Sequence, residues 1–321
     1  MGSNRTQELV CFEESDIDFD CDALTYNNNS HWNQKTLRRG SCSRVRRVYW
    51  RMCNIIVAYK EVVLSREDDF TNVMESSRVI RHIQAKRHED SEDACPHLLR
   101  YYALRVIDTH HYQWLMEWVD YTLLDLIKSE LFKTEAVCVG VARQLVGALH
   151  FLHIEMGLVH GDVSLANILV LFKPGLMTKE GKEGEGEGSV SLITRLGDLE
   201  GCFLVGVLPR CFHGTYLFAA PEVLAHREEA ANPGVDVWSL GIVVCMLLSG
   251  GKHPFLTHGD PNFWDILGSL ERAKLLNLQE HLKALLPHVN DEGVEFLCGC
   301  LSWEPAQRLS TPHLLRLPWI S

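Results

Sequence analysis

The sequence lacks a long uninterrupted hydrophobic run. Its most apolar stretch, Val237 to Gly250, carries Ser239 and is bordered by Asp236. It is too short to span a bilayer, so a buried core helix is expected there. A positive excess is also missing: 31 Lys and Arg face 42 Asp and Glu, a formal net charge of -11. That balance argues against a general nucleic-acid binder, because phosphate backbones need a cationic surplus. The eleven cysteines are odd in number and scattered. They form no disulfide framework and suit free thiols in a reducing intracellular compartment, cytoplasmic or nuclear. Cys298-Gly299-Cys300 has no second pair at zinc-ligand spacing and reads as small residues on a packed helix. Two absences are local. No acid occurs from Gln34 to Lys60, and no Ser, Thr or Tyr from Leu199 to Gly214. The start, Met1-Gly2-Ser3-Asn4-Arg5-Thr6, matches the N-myristoylation pattern at Gly2. Acids follow it rather than a polybasic cluster, so a membrane is not an expected partner.

With 321 residues, 46% hydrophobic and 23% charged, the chain can bury a large core without staples, as two domains or one domain of two lobes. Residues 1 to about 33 hold Glu13, Glu14, Asp16, Asp18, Asp20 and Asp22, then Asn27-Asn28-Asn29-Ser30. Few apolar residues recur, so a disordered acidic tail is expected. From Gln34 to Lys60, basic residues alternate with Val, Ile, Tyr and Trp, which predicts two or three strands. Ser65-Arg66-Glu67-Asp68 resembles a capping box, with Phe70, Val73, Met74, Ser77 and Ile80 at helical spacing behind it. Leu98 to Ala103 and Tyr112 to Met116 read as strands. Val137, Val141, Leu145, Leu149 and Leu152 line a helix stopping near Gly157. Repeated Gly and Glu from about 173 to 189 predict a flexible insert between strands Ile168–Leu171 and Val190–Leu196. A short β-rich half followed by a longer helical half is an α+β layout.

His160-Gly161-Asp162-Val163-Ser164-Leu165-Ala166-Asn167 precedes a strand pattern, then Leu196-Gly197-Asp198, then Ala220-Pro221-Glu222. Two acids and an Asn in that order suit magnesium held against a nucleotide phosphate beside a hydroxyl acceptor. A lone His-x-Asp is common; the ordered set is specific. On these residues the chain resembles the eukaryotic protein kinase superfamily over about residues 35 to 320. Gly214-Thr215-x-x-Phe218-x-Ala220-Pro221-Glu222 is of the serine/threonine type. The resemblance implies a two-lobed kinase-like α+β fold in a domain at 34–321: a small β-rich N-lobe about 34–116, a hinge 117–122 and a larger helical C-lobe 123–321.

The resemblance also implies roles, with ATP and Mg2+ as cofactors and a protein as substrate. Lys60 would bind the α- and β-phosphates and pair with Glu75. Asp162 would orient the acceptor hydroxyl and take its proton, with Thr215 orienting Asp162. Asn167 and Asp198 would ligate magnesium. Gly40 is the one glycine kept in the phosphate-cradling loop, Arg38 to Val45. Val45, Ala58 and Leu169 would sandwich adenine, and the Glu117 carbonyl and Val119 amide would bind its edge. Asp236 would bond the catalytic-loop backbone, and Arg308 would pair with Glu222.

Departures from the pattern are concentrated near the phosphates. Arg38 and Ser43 replace the outer glycines of the loop, which limits backbone approach; Arg38 or Arg39 would offset this by bonding phosphate directly. Ser164 stands where such enzymes place a lysine on the transferring phosphate. Asp198-Leu199-Glu200 replaces Asp-Phe-Gly. Gly161 replaces the arginine that receives an activating phosphate, which agrees with the absence of hydroxyls from 199 to 214. The leading expectation is therefore a serine/threonine kinase not dependent on phosphorylation of that segment. The alternative is a pseudokinase acting as a protein- or nucleotide-binding scaffold. A small-molecule kinase is set aside because Ala220-Pro221-Glu222 and the Asp236 helix resemble protein-substrate elements. A non-arginine loop, Asp-Leu and an acidic insert also resemble the Wee group, though each recurs elsewhere in the superfamily. The acidic tail offers one docking hypothesis, lying over the basic stretch Lys35–Arg51 and limiting nucleotide access; solvated charge on both is the simpler expectation.

Overall fold

The computed structural model describes residues 10–19, 37–39, 43–63, 77–86, 95, 97–108, 111–173, 191–208, 214–256 and 261–321. The chain divides into two compact units: Met1–Ala94 with Leu99–Asp120, and Cys95–Leu98 with Tyr121–Ser321. Gly2, Gly40, the helix start at Ser65, Glu75 and most of the Gly/Glu insert lie outside the described residues.

The first unit is an antiparallel sheet of β1 (Ile17–Asp18), β2 (Leu37–Arg39), β3 (Ser43–Trp50), β4 (Ile55–Val63), β5 (Tyr101–Val106) and β6 (His111–Glu117). The order is β1-β3-β4-β6-β5, with β2 paired to β3. Pairings such as Val48 with Val57, Tyr59 with Leu115 and Ala103 with Leu115 set the two faces by alternation. Val48, Trp50, Val57, Tyr59, Ala103 and Leu115 share one face and form a buried cluster. Val45, Ala58, Lys60 and Met116 fall on the opposite face, where Val45 pairs with Lys60 and Ala58 with Met116. Residues 77–86 form helix α1, which buries Ile80 and Ile83.

The expected acidic tail is partly folded. Phe12 and Ile17 are 2% and 4% exposed and belong to the apolar cluster just described. Phe12 and Phe19 meet the Tyr59 ring edge-on, with centroids 6.4 and 5.3 Å away. β1 pairs with β3 at Trp50 and Tyr49, and Val10 bridges Ala103 in parallel. Composition over 33 residues averaged these apolar side chains away. They fold because a ready-made sheet face receives them. The acids remain at the rim: Asp18 meets Arg51 at 3.3 Å, and Glu13 and Glu14 meet Arg105 at 3.6 and 3.7 Å. The docked segment therefore lies on the sheet face opposite Lys60 and meets the expected basic stretch at its end, Tyr49 to Arg51.

In the second unit, α2 (Leu123–Leu126) follows β7 (Tyr121–Thr122) through a Thr122–Asp125 capping box. α3 (Glu135–His150) runs on through a single π turn, Phe151–Glu155, and stops before Gly157, whose φ of 63° ends it. This 21-residue helix is long and apolar enough to cross a membrane by length and composition, but 56% of its apolar window is buried inside the fold. Gln144 on α3 binds the backbone of Leu192 and Thr194. That fixes the sheet β10 (Ser191–Leu196), β9 (Ile168–Lys173), β7. β11 (Phe203–Leu204) pairs with β8 (Leu158–Val159).

After α4 (Pro221–Leu224), α5 (Gly234–Leu248) is buried from Val235 to Leu248, as its apolar sequence requires. α6 (Phe263–Ala273), α7 (Leu278–Leu285) and α8 (Asp291–Cys300) each begin at an Asn cap: Asn262, Asn277 and Asn290. α9 (Thr311–Leu314) is followed by a 3-10 turn at Pro318–Ile320. Arg308 forks onto buried Glu222, with Nη2 to Oε2 at 2.8 Å, and lies 5.0 Å above the Trp238 ring on α5. The pairing expected from sequence is present, and it anchors the α4 turn to the core.

Candidate active site

The loop His160–Asn167 between β8 and β9 is held from below by one buried carboxylate. Asp236 on α5 accepts the His160 amide at 2.7 Å, the Gly161 amide at 2.8 Å and His153 Nε2 at 2.8 Å. Burial alone would push this carboxyl up. The His153 hydrogen bond and the electrostatic pull of His153 and His160 outweigh that and hold it below the ordinary aspartate value. The role expected for Asp236 is thus seen in detail. His153 was not anticipated. It lies in the π turn, which shifts helix register at that point.

His160 braces the site from the side. Its Nε2 donates to the Gly197 carbonyl at 2.8 Å, and its Nδ1 accepts the Asp162 amide at 3.2 Å, an assignment made from the partners. One imidazole thereby links the loop to the strand end that carries Asp198.

Asp162 is gripped at both carboxylate oxygens. Asn167 Nδ2 donates to its Oδ2 at 2.7 Å and to its carbonyl at 2.9 Å. The Thr215 amide donates to Oδ1 at 2.8 Å. Thr215 thus meets Asp162 through its backbone amide. Burial raises the Asp162 carboxyl above the ordinary value and repulsion from Asp198 adds to it, while the Thr215 amide and His160 oppose the rise. Such a group is suited to accept a proton.

Asp198 adopts a left-handed backbone, φ 61° and ψ 38°, an uncommon conformation for a non-glycine residue. The Gly197 amide donates to the Asn167 carbonyl at 2.8 Å, so one expected metal ligand is tied through its backbone to the residue before the other. Asn167 Oδ1 and the Asp198 carboxylate offer hard oxygens. Among the described residues no cluster of three His, Cys, Asp or Glu could hold a metal alone. An Asn–Asp pair of this kind fits a magnesium ion that brings phosphate oxygens with it, rather than a closed protein cage.

Ser164 is 1% exposed, and its hydroxyl is buried with no hydrogen-bond partner. It has no part in holding Asp162 here. Leu169, half-buried on β9, pairs with Arg195 and Thr122. In the other unit Lys60 is half-buried on β4, flanked by Val45 and Trp114 on the neighbouring strands. Ala58 and Val119 are buried there, and the Glu117 amide is bonded to Arg100. Thus Asp162, Ser164, Leu169, Asn167, Asp198 and Thr215 lie in one unit, and Lys60, Val45, Ala58, Glu117 and Val119 in the other.

The protein kinase domain family matches residues 32–320 of the chain. Mitogen-activated protein kinase kinase 5 of Leishmania mexicana is 26% identical over 290 residues, 88% of this chain and 48% of the relative. Mitogen-activated protein kinase kinase kinase 4 of Homo sapiens is 27% identical over 261 residues, 81% of this chain and 14% of the relative. The chain therefore spans half or less of these curated relatives. A solved structure, titin kinase and its flanking domains, superposes with a TM-score of 0.64 at 20% identity, covering 88% of this chain and 45% of that one. That likeness concerns the fold.

Proposed function

The chain belongs to the protein kinase family, and from that premise we propose that it transfers the γ-phosphate of ATP to Ser or Thr hydroxyls of a protein substrate. The observation that carries this reading is the Asp162 carboxylate, held at one oxygen by Asn167 and at the other by the Thr215 amide. A carboxylate so fixed, with its affinity for protons raised by burial, can orient an acceptor hydroxyl and take its proton during transfer. Asn167 and Asp198 would hold magnesium, which neutralises charge on the phosphates when bound. Lys60 would bind the α- and β-phosphates. Val45, Ala58 and Leu169 would pack on adenine, and the backbone of Glu117 and Val119 would bind its edge. An intracellular setting is supported by the eight described cysteines, all of them free.

A second reading, a scaffold that binds partners or nucleotide without transfer, draws on Ser164. A buried serine hydroxyl stands where a cationic donor to the transferring phosphate is expected, and losing one such donor costs on the order of a hundredfold in rate. The test is phosphate transfer from magnesium-ATP to a generic protein, with Asp198→Asn as control. Transfer by the natural chain that disappears in the variant supports the kinase. Magnesium-dependent nucleotide binding without transfer supports the scaffold.

A further inference from the structure

Gly161, the residue before Asp162, has a φ of 78°, a region that favours glycine. A Cβ at this position would lie 2.8 Å from Phe203 Cε1, 3.5 Å from Cδ1 and 3.8 Å from Cζ. The edge of the Phe203 ring therefore occupies the space in which any side chain at 161 would emerge. On its other side Gly161 is fixed by the bond from its amide to Asp236 Oδ1, 2.8 Å long.

Phe203 is itself firmly placed. It pairs with Val159 and Leu204 with Leu158. The Val205 amide donates to the Gly157 carbonyl at 3.0 Å and the Gly206 amide to Ala231 at 2.8 Å. Cys202, just before, is buried. Farther along, the same segment touches the catalytic loop again, where the Thr215 amide binds Asp162 Oδ1. The segment after Asp198 is thus fastened to the loop at two points, ring on glycine near its start and amide on carboxylate near its end. Between Leu199 and Gly214 no residue carries a hydroxyl.

We propose that Phe203 is a positioning residue: its ring, seated on the Gly161 backbone, supplies by apolar packing one of the two points that fix this segment against the Asp162 loop, in the place of a phosphate-dependent fastening. The proposal deepens the kinase reading in its kinetic consequence and rests on it there; the fastening itself does not depend on activity. Removing the ring frees one of the two attachments, so Asp162 is held less well through Thr215. Nucleotide affinity does not depend on that attachment.

The full chain with Phe203→Ala, Phe203→Leu and Gly161→Ala tests this by amide hydrogen exchange at Val205 and Gly206 and by steady-state kinetics. Phe203→Ala is expected to speed exchange at both amides. It should lower kcat on the order of tenfold to a hundredfold, with KM for ATP changed less than about twofold. Phe203→Leu, which refills apolar volume, should recover most of both. Gly161→Ala should mimic Phe203→Ala by pushing the ring away, and serves if Phe203→Ala does not fold. Unchanged exchange in both Phe203→Ala and Gly161→Ala overturns the fastening. Faster exchange with unchanged kcat overturns the positioning role. Should the natural chain transfer no phosphate while exchange responds as stated, the fastening stands and the kinase reading is what fails.

Discussion

Phe12→Ala isolates what holds the N-terminal segment to the first unit's sheet. Two kinds of contact compete for that role. The apolar one is Phe12 at 2% exposure and Ile17 at 4%, packed on Val48, Trp50, Val57, Tyr59, Ala103 and Leu115. Burying a side chain of this size contributes about 1.5–3 kcal/mol, and truncating Phe to Ala in a packed site costs about 3–5 kcal/mol once the cavity is included. The electrostatic contact is three ion pairs at 3.3 to 3.7 Å, each with one well-exposed member, Arg51 at 57%, Glu13 at 77% and Glu14 at 68%. Exposed pairs of this kind contribute about 0–1 kcal/mol each and less at high salt. Apolar burial should therefore dominate. In urea unfolding monitored by tryptophan fluorescence, Phe12→Ala is expected to lose about 3 kcal/mol at low and high salt alike, a large share of a typical stability. Glu13→Ala with Glu14→Ala should lose less than about 1 kcal/mol and only at low salt. The reasoning is refuted if Phe12→Ala is neutral, or if the charge variant costs more than the aromatic one.

Further outcomes follow from the second unit. Arg308→Met should destabilise by about 3–5 kcal/mol, because Glu222 would keep a buried, unpaired charge; Arg308→Met with Glu222→Leu should recover much of the loss, and a chemical-denaturation double-mutant cycle checks both. Transfer activity should fall on the acid side as Asp162 takes up a proton. Burial raises that carboxyl, so the fall begins above the 3.8 of an ordinary aspartate, and a pH–rate profile flat down to that value would contradict the assignment. The sign for stability is the opposite of a salt-bridged acid: a raised carboxyl costs stability when ionised at neutral pH, and the cost fades as pH falls through the raised folded value and is gone below the unfolded one. Asp162→Asn should therefore lose rate at pH 7 without losing much melting temperature. Protein treated with phosphatase should keep its activity, since the segment from 199 to 214 offers no hydroxyl to dephosphorylate; loss of activity would place an activating phosphate elsewhere.

Much of the second unit's site could be read from sequence because its chemistry is local. Asp162 and Asn167 are five residues apart, and Asn167 reaches back to Asp162 within one loop. The Glu222–Arg308 pair was legible over a long separation because both belong to recognisable motifs. The seating of residues 10–19 was not legible. Its apolar side chains, Val10, Phe12, Ile17 and Phe19, are interleaved with four acids, and what folds them is a surface built by residues far along the chain. The Gly161–Phe203 packing was hidden for a related reason: glycine records no side chain, so the sequence shows an arginine missing but not the ring that fills its place. His153 escaped notice because a π turn, invisible to helical periodicity, aims it at Asp236.

The most direct test of the central claim separates binding from chemistry at one carboxylate. In a single-turnover experiment with magnesium-ATP and a protein acceptor, Asp162→Asn should bind nucleotide as the natural chain does while its transfer rate falls about 10²–10⁴-fold. Equal transfer rates in the two proteins would contradict the account.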